Sequence, residues 1–333
     1  MGLFDLFRKG TSLKQNDKNV SISFSMPSSK DIEQQASIDA EKIARMNAAC
    51  RKSEHGLSVS QILLLEYCKK GKYPNPEGGY PRFWYYDYGL KNVGEELKKL
   101  AEEGFIRFSS PKEILSTIKV DQLKEILHRL NLPANGKKAE LVERIKGNAD
   151  DEFLKHYVNS DKYILTEFGE KELEENEYIS YLHSHKYPEI SIWDVNKNSN
   201  LKHWRDYIWG RFNKCSIEYA SKGQWGLYRN VRFSMAEFLF DEAKYLDAFA
   251  MYGEVCFYDV NGADVYIDYD DPADLLIEGI LTRMKKAVKE GNISDEKQRE
   301  ILLKRVESCQ PVKRRVQQGK MTELILCKMQ KQN

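Results

Sequence analysis

Two short segments with the composition of β-strands, "FIRFSS" at residues 105–110 and "KYILTE" at 162–167, are held apart by everything from residue 111 to residue 161. A connection of that length without structure of its own is rare in a compact domain. The intervening chain must therefore bring its own core, and the strands are expected to pair antiparallel at its base with a helical module protruding between them. No other feature of the chain narrows the choice of fold as much.

The segments around the strands are helical by pattern. "SVSQILLLEYCKKG" opens on a serine cap, and the turn-rich "KYPNPEGGYPR" follows it. "VGEELKKLAEEG" places Val93, Leu97, Leu100 and Ala101 at helical spacing and stops at Gly104, as a glycine beyond a helix end favours. After the second strand comes a helix through "FGEKELEENEYISYLHSH". This order of helix, helix, strand, strand, helix, with "EEGFI" and then "Y-x-LT-x-x-G", resembles the winged helix of many bacterial regulators. The helix that would enter a DNA groove carries Lys91, Lys98 and Lys99 among Glu95, Glu96, Glu102 and Glu103. That balance is poor for phosphate contact, so a structural or dimerising role is as well supported.

The insert reads "STIKVDQLKEILHRLNLPANGKKAELVERIKGN" over 116–148. Leu123, Ile126, Leu127 and Leu130 mark the apolar face of one helix, and Leu141, Val142 and Ile145 that of a second. Leu132 and Pro133 begin the bend, and Asn135 or Gly136 is expected to start the second helix. Two lysines, Lys137 and Lys138, then open it. A helix N-terminus carries partial positive charge and favours acids, so the placement works against stability and suits an external anion.

The pattern "V-D-Q-L-K-E-I-L" followed by "L-P-x-x-G-K-K-A-E-L-V-E-R-I" resembles the SAP family of helix–extended loop–helix modules. The resemblance implies binding to duplex DNA with a preference for AT-rich stretches, the glycine and basic pair at the second helix forming part of the contact. Related modules bind proteins or RNA. Charge agrees with the resemblance. Lys119, Lys124, Arg129, Lys137, Lys138, Arg144 and Lys146 face only Asp121, Glu125, Glu140 and Glu143, a local excess of three positive charges in a chain whose net charge is +1. The DNA-binding set is therefore expected to be Lys119, Lys124, Arg129, Asn135, Gly136, Lys137, Lys138 and Arg144. No residue of the insert has an obvious way to read a base edge, so contacts are expected to be dominated by phosphate, weakly selective and sensitive to salt. The alternative is a solvated charged surface on a small helical insert.

Beyond residue 190 the pattern is helical. The Trp- and Tyr-rich stretch from Trp193 to Asn230 reads as packed core rather than a base-stacking platform. "MAEFLFDEAKYLDAFAMYGEVCFYDVNG" spaces Leu239, Ala243, Tyr245, Ala248 and Tyr252 in a way similar to one tetratricopeptide hairpin, without a second copy. Two more helices follow, through "LLIEGILTRMKKAVKEG" and from Ser294. The basic patch at Lys313, Arg314 and Arg315 reads as a solvated face.

With 41% hydrophobic and 31% charged residues the chain is that of a globular protein rather than a disordered one. Its six cysteines form no CxxC, which argues for reduced thiols in a cytoplasm and against a zinc site. No apolar run reaches bilayer length. "MGLFDLFRKG" has neither a signal-peptide core nor the Ser or Thr that myristoylation favours, and reads as a short helical cap. No phosphate-binding loop, nucleophile elbow or HExxH is present. His183, His185 and Asp194 are poorly spaced for a shared ion, so no metal, cofactor or catalysis is expected.

The expected architecture is mainly α. An N-terminal segment and linker (1–36) leads to a winged-helix-like domain (37–187) with the SAP-like insert (116–148), and a helical domain (188–333) follows. The expected role is non-catalytic duplex-DNA binding in bacterial or phage-related accessory work. The carboxy-terminal helices would bind a protein partner or self-associate. The competing reading is a protein-interaction scaffold that does not bind DNA.

Overall fold

The computed structural model describes residues 29–74, 79–158, 162–261, 271–309 and 316–331. The "MGLFDLF" segment and the Lys313–Arg315 patch lie outside them. The chain divides into two compact units, with the boundary between Glu177 and Tyr178.

The first unit contains α1 (Ser29–Ala48), α2 (Val59–Lys69), α3 (Phe83–Tyr86), α4 (Val93–Glu102), β1 (Ile106–Phe108), α5 (Pro111–Ile114), α6 (Val120–Arg129), α7 (Lys138–Asn148), α8 (Asp151–Leu154), β2 (Tyr163–Leu165) and α9 (Glu167–Glu175). Helix α1 begins inside the stretch read above as linker, because "IEQQASIDAEKIA" is made almost wholly of good helix formers. Helix α2 is its core element, with Ile62, Leu63, Leu64 and Leu65 almost fully buried. The serine cap is present: Ser58 Oγ accepts the amide of Gln61, and Gln61 Oε1 accepts the amide of Ser58 at 2.8 Å. The turn-rich segment beyond α2 holds an unforeseen short helix, α3, whose Trp84 is buried and donates from its indole to Tyr73 at 2.6 Å.

β1 and β2 pair antiparallel as the spacing predicts, in the register Ile106↔Leu165, Arg107↔Ile164, Phe108↔Tyr163. Theirs is the only sheet among the described residues. Ser109 extends the ribbon by donating its amide to the carbonyl of Lys162 at 2.8 Å. The Y-x-LT-x-x-G residues have local work. Thr166 caps α9 by accepting the amide of Gly169 at 3.2 Å. A side chain at Gly169 would run into the carbonyl of Phe105, so glycine lets α9 close onto the base of the ribbon.

The long helix expected through "FGEKELEENEYISYLHSH" is two helices. Asn176 donates from its side chain to the carbonyl of Glu172 at 2.9 Å, an i−4 bond that competes with the backbone ladder. There α9 ends and α10 (Glu177–His185) begins, at the boundary of the two units.

The second unit continues with α11 (Ile192–Asn198), α12 (Trp204–Ser221), α13 (Trp225–Asp241), α14 (Tyr245–Asn261), α15 (Glu278–Glu290), α16 (Asp295–Glu307) and α17 (Gln318–Gln330). Ser294 caps α16 as expected. Helices α13 and α14 pack on each other as consecutive helices. Helix α14, however, packs against α13, α15, α16 and α17 and is buried almost from end to end. Its Glu254 lies in that interior, bonded to Tyr228 at 2.9 Å, to Arg232 at 3.0 Å and to Arg305. Of the tryptophans and tyrosines from Trp193 to Asn230 only Trp204 is fully buried, lying against Tyr181; the others are half-buried, and Trp225 stacks on the buried Tyr258.

Candidate nucleic-acid interface

The insert folds around its own apolar cluster. Leu123, Ile126 and Leu127 of α6 meet Leu141, Val142 and Ile145 of α7, and the cluster is closed by Ile114, Leu115, Leu154 and Val158. The closing residues lie outside 116–148, on or just beyond the short helices α5 and α8 that flank the two main ones. Their signal was legible in part, since Ser110, Pro111 and Glu113 follow the rule for a helix start. Glu113 accepts the amide of Ser110 at 2.7 Å and both terminal nitrogens of Arg107 at 2.9 and 2.6 Å. Arg107 lies on β1, so this fork ties the insert to the ribbon. The Arg107 guanidinium, helped by the Ser110 amide, holds the Glu113 carboxyl well below its usual range, at about 2.

Between the main helices the chain reverses and then extends. Helix α6 ends with Asn131 in the left-handed region, φ +56°. The amides of Asn131 and Leu132 return to the carbonyls of His128 and Leu127, the double closure typical of a helix C-terminus. Leu132 and Ala134 then pack against the core while Pro133 and Asn135 are exposed, an alternation of period two that marks extended chain. Gly136 follows at φ +120°, a conformation open to glycine and strained for other residues.

Helix α7 starts later than expected. Its cap is Lys137, not Asn135 or Gly136, and Lys138 is the first helical residue. The reason is Glu140, whose carboxylate accepts the Lys137 amide at 3.2 Å and fixes the start there. The two lysines do stand at the N-terminus, where the first-turn amides lack intrahelical carbonyls.

The expected site residues differ in their surroundings. Lys119, Lys124, Arg129, Lys137 and Lys138 are all exposed, and none has an ion-pair partner among the described residues. Lys146, by contrast, is paired with Glu143 at 3.1 Å. Lys124 and Arg129 are five residues apart on α6, about 140° around its axis, so they leave opposite flanks of the apolar stripe. Arg144 is turned onto the loop that precedes α7: its Nη1 donates to the carbonyl of Asn135 at 3.0 Å and to that of Pro133.

Residues 114–148 match the family model of the SAP domain. The matched segment lies inside the insert. No curated protein and no solved structure matches the chain.

Elsewhere several charged groups are paired. On α4, Lys99 is held by Glu96 at 2.7 Å. In the second unit His185 faces Asp241 at 2.8 Å through Nε2 and the carbonyl of Tyr181 at 2.7 Å through Nδ1, so its partners are not those weighed from the sequence. Among the described residues no helix is long and apolar enough to cross a membrane.

Proposed function

We propose that the protein is a non-catalytic binder of duplex DNA that contacts phosphates through the α7 N-terminus of its SAP-like insert. One observation carries the reading. Lys137 and Lys138 stand exposed at a helix start, without an ion-pair partner among the described residues, within a segment that matches the SAP domain. Lysine ammonium groups and helix-start amides both recognise phosphate, and neither reads sequence. Lys119 adds a third free charge near the start of α6. The first unit serves as a winged-helix-like platform, whose acid-rich α4 makes it a support for the insert rather than a second groove reader. The tetratricopeptide-like α13–α14 hairpin, with the rest of the second unit, binds a protein partner or a second copy of the chain. A cytoplasmic, bacterial or phage-related setting fits this role.

A protein-interaction scaffold without DNA binding is the alternative, favoured by the ion-paired surface of α4. Fluorescence anisotropy of the full chain with a labelled duplex over a series of salt concentrations separates the two. Release of counterions from about three phosphates gives a slope of log affinity against log salt near −3. No binding at low salt would leave the scaffold reading.

A further inference from the structure

We infer that Arg144 is a positioning residue, which clasps the extended loop so that Asn135 can read a base edge. This rests on the proposed DNA-binding role and assigns the residues that give it selectivity.

Arg144 lies on α7, yet its Nη1 reaches back across the module to two carbonyls of the loop, those of Pro133 and Asn135. One nitrogen with two hydrogens is fully engaged by two acceptors. The loop is thereby fixed at three places: the α6 closure through Asn131 and Leu132, the Arg144 clasp in the middle, and the Lys137 amide on Glu140 at the far end. A chain segment held this way loses little freedom on binding.

The clasp has a consequence for what the loop displays. Leu132 and Ala134 turn inward, so the outward side chains are Pro133 and Asn135, and of these only Asn135 can hydrogen-bond. Its backbone carbonyl is taken by Arg144. Its carboxamide is exposed and has no partner among the described residues. A carboxamide offers a donor and an acceptor side by side, the pattern that matches the N6 and N7 edge of adenine. It stands two residues before Lys137 and three before Lys138, so phosphate contacts made there would bring the loop against the groove. Lysines alone would bind every duplex equally.

The test uses the full chain and two labelled duplexes of equal length, one entirely A·T and one entirely G·C, at several salt concentrations. Wild type should favour the A·T duplex by at least about fivefold. Asn135→Ala should remove that preference, bringing the affinities for the two duplexes together. Arg144→Gln should also lose the preference while keeping the wild-type salt slope, and Arg144→Lys, which can still reach one carbonyl, should restore part of it. Equal weakening on both duplexes by Arg144→Gln, with the salt slope reduced by about one, would make Arg144 a phosphate contact and overturn the inference. An unchanged preference in Asn135→Ala would overturn it too, whatever Arg144→Gln does to the fold of the loop. Absence of any binding by wild type would instead remove the DNA-binding role itself, and is seen before any variant is compared.

Discussion

Glu113 accepts hydrogen bonds from Arg107 on the ribbon and from the amide of Ser110, and so joins the insert to its base. Its carboxyl is lowered to about 2 in the folded chain, against an ordinary value of about 4.3. A depressed folded value means that the charged pair adds stability above the ordinary value and loses it as pH falls towards the folded one. The Glu113 side chain is 37% exposed, so solvent screening limits the contribution to about 0.5 kcal/mol. Glu113→Gln should therefore lower the denaturation midpoint slightly at pH 7 and make no difference near pH 2. An equal difference at both pH values would assign the effect to something other than the ion pair. Gly136 makes a related point about single residues, since its φ of +120° lets the loop meet Lys137.

Helices in the second unit end by a common device. The amides of Gly223 and Gln224, of Ala243 and Lys244, and of Asn292 and Ile293 each fold back onto the preceding helix. The first residue of each pair is left-handed, and Ala243, at φ +55°, is the one with a side chain least suited to it. Ala243 is exposed, so glycine there relieves strain of about 1–2 kcal/mol against an entropic cost of about 0.5–1 kcal/mol. Ala243→Gly should raise the melting temperature by a degree or a few, as about 0.5 kcal/mol would; a fall would show that the turn is not strained. Elements of this kind were legible where one local signal sufficed, as with Ser58, Ser294, Gly104 and the two apolar stripes of the insert. Others were not. The start of α7 depended on Glu140 reaching back to Lys137, and the break at Asn176 on a side chain competing for the carbonyl of Glu172. Composition suggests neither. The near-complete burial of α14 arises from four helices packed around it, two of them further along the chain than its immediate neighbours, which no local period records. Of the candidate site, the lysines at the α7 start were legible from the order of residues. The commitment of Arg144 to two loop carbonyls was not, because a basic residue on an amphipathic helix reads the same whether it faces solvent or its own chain.

For the molecule as a whole, the insert is a small core set upon a larger one. Its cluster from Ile114 to Val158 is distinct in composition and bounded at both ends by the ribbon. Leu141 is fully buried there, and Leu141→Ala should cost about 2–5 kcal/mol, comparable to the whole stability of so small a core. Hydrogen exchange should then show α6 and α7 losing protection while α2 keeps it; equal loss in α2 would mean that the first unit folds as one cooperative body. The same division concentrates the DNA-binding claim on one helix start. The most direct measurement is duplex affinity of Lys137→Glu with Lys138→Glu in the full chain, with circular dichroism to monitor the fold. The changes complement the helix dipole, so the insert should gain a few tenths of a kcal/mol in stability, and duplex binding should be lost. A folded double variant that binds duplex DNA as tightly as wild type would contradict the account.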